Sequence, residues 1–186
     1  MKALFQMLAT YNRWANERFY DATANLQDAD YRRDRGAFFG SIHGTLNHIL
    51  IGDRIWMHVL TGEGEKPQAL DLILYDDLGA LRRARRAEDA RIAGYIAGLT
   101  EHDLAGTVRY RTLRSPADIE QQVAPLLLHV FNHQTHHRGQ AHCLLTAFTA
   151  EAPSLDLVVF QRETGVSLIS GAGGLSSGPE RRRPYV

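Results

Sequence analysis

The stretch HVFNHQTHHRGQAH, residues 129–142, holds five of the nine histidines in this chain of 186 residues. Residues four apart on an α-helix lie nearly above one another, so His129, His133 and His137 would form a row along one face. Leu126 and Val130 lie close to that row, which indicates that it faces inward or toward a cleft. The stretch therefore predicts a helix that brings several imidazoles to a partly buried position.

Helical periodicity extends outward from this stretch over most of the chain. Ser41 is predicted as the N-cap of a second helix, since serine side chains accept hydrogen bonds from the first turn. The predicted helices cover residues 2–26, 41–60, 76–99 and 123–150. The third of them has a weak apolar stripe among many arginines, made of Leu78, Leu81, Ala84, Ala87, Ala90, Ile92 and Ile96. Four amphipathic helices with little strand content predict an all-α four-helix bundle.

The segments between and after these helices give weaker signals. TVRYRTLRS, residues 107–115, alternates in a way that favours a short strand or hairpin arm before the last helix. Ser115–Pro116 is typical of a helix start, while SLDLVVFQRE, residues 154–163, fits either a short helix or an edge strand. Residues 164–186 are rich in glycine and serine, which predicts a flexible tail after a bundle domain over residues 1–163.

Composition narrows the class of protein. The formal net charge is zero, which argues against general attraction to nucleic acid or to anionic lipid. No run approaches the roughly 20 apolar residues of a membrane span, and the N-terminus does not have the pattern of a signal peptide. Cys143 is the single cysteine. It lies in an apolar stretch, so we expect a buried, inert thiol. Together these features predict a cytoplasmic protein without membrane or nucleic-acid partners.

Crowded neutral imidazoles at a partly buried site lack partners, and a divalent metal ion removes the conflict by accepting their lone pairs. Two histidines at i and i+4 can bind one ion together. An isolated pair of histidines at this spacing, however, more often lies on a solvated helix face. A third ligand must come from another helix. His48 is the first candidate, because small residues surround it on the predicted helix, and His43 and His58 are rivals. Three histidine ligands without a fourth protein ligand are typical of an open, catalytic type of metal site.

At these residues the sequence resembles the DinB family, related to the YfiT-like proteins. GTLNHIL, followed by an aspartate and a tryptophan in residues 44–56, and LLLHVFNHQTHHRGQ in residues 126–140 carry the resemblance. YNRWAN near the N-terminus and PSLDLVVFQRE near residue 160 also match, so the resemblance covers roughly residues 3–163. TAFTAEAP, residues 146–153, departs from the family pattern, because a glycine is common there, and this leaves the end of the last helix open.

The resemblance implies a four-helix bundle that is usually dimeric and holds a divalent metal, often zinc or nickel. Carried over by position, the ligands are His48, His133 and His137. Some members of the family are transferases or isomerases that use a low-molecular-weight thiol, so the resemblance implies a small-molecule substrate and a thiol cofactor.

Other residues of the motifs are predicted to lie near the metal, in the core or on a polar face. His129 is either a residue near the metal that contacts substrate or a packed core histidine. Gln140 and Asp53 are candidates for hydrogen bonding to a ligating imidazole, as metal ligands normally require. Asn132 and Arg138 have a similar role. For Asn132, Arg138 and Gln140 the alternative is hydrogen bonding to helix ends. Trp14 and Trp56 are predicted as core residues rather than a cofactor platform, and His136 and His142 as residues of a polar face.

These patterns support two functional hypotheses. The first is a metal-dependent enzyme that activates a low-molecular-weight thiol or water at an open three-histidine site. The alternative is a metal-binding stress-response protein without catalysis, in which the metal stabilises the bundle. DNA binding follows only from the family's name, and the neutral net charge argues against it.

Overall fold

Four long helices and one hairpin define the architecture of the computed structural model, which describes residues 1–112, 117–149 and 151–167. The long helices are α1 (Lys2–Thr23), α3 (Ile42–Thr61), α4 (Leu78–Gly98) and α6 (Val123–Thr146). Short helices α2 (Asp28–Arg32) and α5 (Glu101–Ala105) lie in the connections, where no helix was expected. Because α1 packs on α4 and α6, and α3 packs on α4 and α6, the four long helices form the predicted bundle.

Local sequence signals explain where the central helices begin and end. Ser41 accepts a hydrogen bond from the backbone amide of Gly44, which confirms the predicted N-cap of α3. Gly62 ends that helix in the left-handed conformation, with φ of 72°, where glycine avoids the strain of a side chain. The side chain of Asp77 caps α4 in the same way as Ser41 caps α3.

The predicted strand before the last long helix is one arm of an antiparallel hairpin. Strand β1 (Thr107–Arg111) pairs with β2 (Asp118–Gln122), with Arg109 opposite Glu120. The helical segment predicted to follow Ser115–Pro116 is wrong over 118–122. These residues alternate and form cross-strand ion pairs with β1. Ser115 and Pro116 themselves lie outside the described residues.

The end of the chain departs from the prediction in its boundaries. Helix α6 ends at Thr146, whereas Ala150, its predicted end, lies outside the described residues. Met1–Leu155 forms one compact unit, and a second unit begins at Asp156. In that unit the segment predicted as helix or edge strand forms α7 (Leu157–Glu163). The predicted division at residues 163 and 164 stays a prediction, and most of the predicted tail, residues 168–186, lies outside the described part.

The bundle interior alternates between apolar and polar layers along its helices. One apolar cluster contains Phe5, Met57, Ile92, Ile96, Leu127 and Phe131. The other contains Phe19, Ile42, Ile49, Leu50, Leu81 and Leu145. On each of the four long helices, buried polar residues stand between the positions that enter these two clusters. We call this set the polar layer: Asn12, Asn16, Asp53, Arg85, Asp89, Gln134 and Arg138.

The inward face of α4 therefore differs from the predicted apolar stripe. Ala87 and Ala90 are exposed, whereas Arg85 and Asp89 are buried. The sequence did not indicate that charged residues of α4 face inward, because charged residues are seldom fully buried unless they are paired. Here they are paired: two nitrogens of Arg85 lie 2.6 Å from Asp53 Oδ2 and 3.1 Å from Asp89 Oδ1.

None of the helices in the described ranges combines the length and the apolar character that crossing a bilayer requires.

Candidate metal centre

Helices α3 and α6 pack side by side and bring three imidazoles together. The Nε2 atom of His48 lies 3.2 Å from Nε2 of His133 and 3.2 Å from Nε2 of His137. One ring nitrogen from each of the three residues lies within 4.8 Å of the other two. No carboxylate or cysteine of the described residues joins this group. We call these three residues the histidine cluster. The structure thus places together the three residues predicted as ligands, and their binding of a metal stays a prediction.

The small residues around His48 make room for the chain itself rather than for an ion. A Cβ atom at Gly52 would lie 2.6 Å from Cε1 of His133, and one at Gly44 would lie 2.2 Å from the backbone oxygen of Phe39. Both distances are shorter than real Cβ contacts. Gly52 therefore lets the His133 ring approach α3 closely, and this brings its Nε2 within reach of His48.

Hydrogen bonds set the tautomers of two of the three rings. His48 Nδ1 lies 2.8 Å from the backbone oxygen of Leu70, and His137 Nδ1 lies 2.8 Å from Oε1 of Gln140. Since both oxygens only accept, each Nδ1 carries the hydrogen and each Nε2 directs a lone pair into the cluster. The buried Nδ1 of His133 has no hydrogen-bond partner in the described part of the chain.

Burial keeps these rings neutral near pH 7. Desolvation lowers the pKa of His48 to about 4 and that of His133 to about 3. The pKa of His137 is lowered for the same reason, although its bond to Gln140 opposes the shift. Neutral imidazoles are the form that binds a metal, so the cluster is ready to act as a donor set without first losing protons.

The donor geometry fits a divalent metal ion. With metal–nitrogen distances of about 2.0–2.1 Å, nitrogens at two corners of a tetrahedron lie about 3.3 Å apart. Both Nε2 separations from His48 agree with this value. The Nε2 lone pairs of His48 and His137 face each other at 3.2 Å and repel unless a cation or a donated hydrogen lies between them. The cluster could therefore hold one ion, with at least one coordination position left for a small molecule.

The cluster forms part of the floor of a cleft of about 490 Å³. Its walls are mostly aromatic and aliphatic, with Phe39, Trp56 and Tyr110 among them. The Phe39 ring stacks on His48 at 3.7 Å between centroids, with 18° between the planes. Tyr110 comes from β1, so the hairpin arm supplies one wall. A cleft of this size and lining is typical of sites for small organic molecules.

The residues predicted near the metal occupy three different positions. Gln140 contacts the ligand candidate His137 directly. His129 lines the cleft and is exposed, so its alternative reading as a packed core residue is wrong. Asp53 follows Gly52 but is turned by about 100° toward the bundle interior, where it binds Arg85 and Gln134, so its predicted hydrogen bond to a ligating imidazole is wrong. Burial raises the pKa of Asp53, and the Arg85 guanidinium opposes that shift.

The remaining polar residues of the histidine stretch divide between core and surface. Arg138 is buried and donates to the side-chain oxygens of Asn12 and Asn16. Asn132 and His136 are exposed, and His142 is half-buried, with its Nε2 2.8 Å from the backbone oxygen of Pro153. The rival ligand candidates His43 and His58 face the backbone oxygens of Tyr75 and Gly64 instead of the cluster.

Two predictions about packing need correction. Cys143 is an exposed thiol, not a buried one. It lies two residues from both Ala141 and Leu145, which are buried, and two residues turn a helix by about 200°, so it points outward. Trp56 is half-buried in the cleft wall, with its ring 5.0 Å from that of His129, rather than in the core. Trp14 is half-buried on α1 and stacks under Arg18.

Sequence reasoning missed three parts of the site. Phe39 and Lys66 line the cleft from connections between helices, and the Leu70 oxygen that orients His48 belongs to the backbone. Phe39 lies two residues before the Ser41 cap, and that proximity was its only signal. A backbone oxygen carries no residue-type signal at all.

Comparisons with known proteins agree with this architecture. The sequence profile of the DinB family matches residues 1–172 of this chain. The chain is 28% identical over 167 residues to the protein DinB of Bacillus subtilis (strain 168), and the alignment covers 84% of this chain and 94% of that protein. Two solved structures share the fold. A conserved protein from Enterococcus faecalis has a TM-score of 0.60 and 13% identity, over 75% of this chain and 94% of its own. A DinB-like protein from Bacillus cereus ATCC 10987 has a TM-score of 0.57 and 17% identity, over 76% and 91%.

Proposed function

We propose that this chain, which belongs to the DinB family, is a metal-dependent enzyme that acts on a small organic molecule in the cleft. His48, His133 and His137 would hold a divalent ion, zinc or nickel, and the nucleophile would be a low-molecular-weight thiol or water. The observation that carries this proposal is the convergence of three neutral imidazole nitrogens on the floor of an apolar cleft.

The chain's own residues would bind, orient and exclude water. Leu70 and Gln140 hold two rings with their Nε2 lone pairs toward the cluster, so little reorganisation is needed when an ion arrives. The aromatic and aliphatic walls of the cleft, Phe39 and Trp56 among them, would keep bulk water from the reacting atoms. When bound, the metal would lower the pKa of a coordinated thiol or water, which makes either one a nucleophile at neutral pH.

Two arguments favour the thiol over water as nucleophile. The resemblance to thiol-dependent members of the family is one. The other is the volume of about 490 Å³, which has room for an organic thiol beside a small substrate. The exposed Cys143 lies outside the cleft lining, so the nucleophile would come from the bound molecule and not from the chain.

The first experiment measures metal binding. Purified protein would be analysed for its elements and then titrated with zinc and nickel against a chromophoric chelator. We expect about one ion per chain, lost in His133→Ala and His48→Ala. His102→Ala is the matched control, because His102 is an exposed histidine away from the cleft. Equal binding by all four proteins would contradict the site.

The second experiment separates catalysis from passive binding. Turnover would be measured over a panel of thiols and electrophiles, with and without a chelator, on wild type and His133→Ala. Metal-independent turnover would overturn the proposal. Strong thermal stabilisation by metal without turnover would favour the alternative, a metal-binding stress-response protein. The homodimer implied by the family stays a prediction, which sedimentation of the metal-loaded protein would check.

A further inference from the structure

The cleft has a one-sided charge. Lys66 and Arg111 line it, and no aspartate or glutamate of the described residues does. Lys66 and Arg111 therefore add positive charge to walls that are mainly aromatic and aliphatic. An anionic group on the bound molecule would meet no repelling carboxylate there.

The acids nearest in sequence to these two cations are already paired. Arg111 Nε lies 2.5 Å from Asp118 Oδ1 across the hairpin. Glu65, the residue before Lys66, forms an ion pair with Arg54. Within the described residues the ammonium of Lys66 has neither an ion pair nor a hydrogen bond, although the residue is half-buried. The ammonium stays accessible to solvent, so an anionic ligand in the cleft can pair with it.

We infer that the substrate class of this cleft is a small organic carboxylate with a flat apolar body, and that Lys66 binds its carboxylate. This inference rests on the proposed function, since it names the ligand of the same site. The rings of Phe39, Trp56 and Tyr110 provide flat surfaces for the apolar body.

A single charge on the ligand suits the cleft better than two. Phosphate dianions are usually held by several donors, often the planar fork of arginine, whereas lysine acts as a point charge. Arg111 already uses its fork on Asp118, with two nitrogens bound to the two carboxylate oxygens. Lys66 alone matches one carboxylate.

The test uses hydrocinnamate and its uncharged amide, which have the same shape and differ in charge. Their binding would be measured by calorimetry on wild type, Lys66→Met and Lys2→Met, each metal-loaded and chelator-treated. Lys2 is the matched control, because it is the only other lysine in the sequence and its Nζ donates to the backbone oxygen of Ala97. We expect wild type and Lys2→Met to prefer the acid about tenfold, as for a hydrogen bond to a charged group, and Lys66→Met to lose this preference.

Chemical labelling of lysine gives a second readout that does not depend on the substitution. Acetylation of Lys66, followed by peptide mass spectrometry with Lys2 as internal reference, should slow in the presence of hydrocinnamate and not of the amide. Failure of both ligands to bind or protect would overturn the inference.

The chelator arm separates this inference from the proposed function. A preference that persists in Lys66→Met but disappears without metal would mean that the ion takes the carboxylate, and Lys66 would be excluded. A preference that needs Lys66 in chelator-treated protein supports the inference even if no metal-dependent turnover is found. Metal-dependent turnover without any acid preference would leave the function standing and the inference overturned.

Discussion

On α6, residues of the histidine cluster and of the polar layer are neighbours in the sequence, yet the two sets satisfy their polar atoms in opposite ways. Asp53 follows Gly52, and Gln134 and Arg138 follow His133 and His137. One residue turns a helix by about 100°, so each pair of neighbours faces both the cleft and the bundle interior. The polar layer contains charges of both signs, whereas the cluster contains three imidazoles and no carboxylate of the described residues.

This difference separates a polar site that is satisfied within the chain from one that is not. In the polar layer Arg85 is paired with Asp53 and Asp89, and Arg138 donates to two asparagine side chains on α1. These groups stabilise one another without any bound molecule. In the cluster the Nε2 lone pairs of His48 and His137 face each other beside a cleft, and no carboxylate of the described residues joins them. Four substitutions test this contrast.

The largest effect is expected from Arg85→Met, which removes the central cation of the polar layer. Asp53 and Asp89 would then be buried without a counter-charge, which should cost roughly 3–5 kcal/mol in the free energy of unfolding. Urea denaturation of the chelator-treated protein measures this loss. Arg83→Met is the matched control on the exposed side of α4, with an expected change within about 0.5 kcal/mol. Equal losses in the two variants would contradict the structural role of the layer.

Gly52→Ala should act on the cluster and leave the polar layer in place. Its new Cβ forces the His133 ring to shift, with a strain of about 1–3 kcal/mol that falls on the metal-bound state. Metal affinity should fall between about fivefold and a hundredfold, as measured by competition with a chelator. Gly94→Ala is the control, because it adds a methyl group in open space on α4. Gly94→Ala should keep wild-type affinity and gain up to about 1 kcal/mol in stability. Unchanged metal affinity in Gly52→Ala would argue against the close approach of His133 to α3.

Gln140→Ala tests how far the cluster depends on its hydrogen bonds. Without the Gln140 oxygen, the His137 ring loses its orienting partner, and metal affinity should fall about tenfold. Gln140→Glu keeps an acceptor at the same position and should restore the affinity. The same zinc titration applies to both variants, and a loss in the glutamate variant as large as in the alanine variant would show that Gln140 acts by packing alone.

The smallest effect is expected at a solvated ion pair, which contrasts with the buried pairs of the polar layer. Hydrogen bonds from Arg86 and Arg82 lower the pKa of Glu17 from 4.5 to about 2. Since the pKa in the folded state is below that of the unfolded chain, the stabilisation is present above pH 4.5 and is lost as the pH falls through about 2. Glu17→Gln should cost less than about 1 kcal/mol at pH 7 because solvent screens the pair. Urea unfolding between pH 7 and pH 3 should show the difference shrinking, and a difference independent of pH would rule out the ion pair as its cause.

The sequence allowed prediction of the elements that depend on local patterns. Spacing of four residues placed His133 and His137 on one face of α6, and the cap at Ser41 marked the start of α3. Alternation over 107–111 identified one arm of the hairpin. The polar layer could not be predicted, because Arg85 and Asp89 look like surface charges until their partners on other helices are known. The predicted burial of Cys143 was wrong for a related reason, since an apolar stretch does not show which face of the helix is buried.

The sequence by itself determined the helix class, the histidine row and the family, because each depends on residue types at short, regular spacing. Only the tertiary structure decided how closely His48 approaches that row, what fills the space at Gly52, and which backbone oxygen orients His48. These depend on the register between helices that are about 85 residues apart in the chain. Long-range packing fixes that register, and no local pattern encodes it.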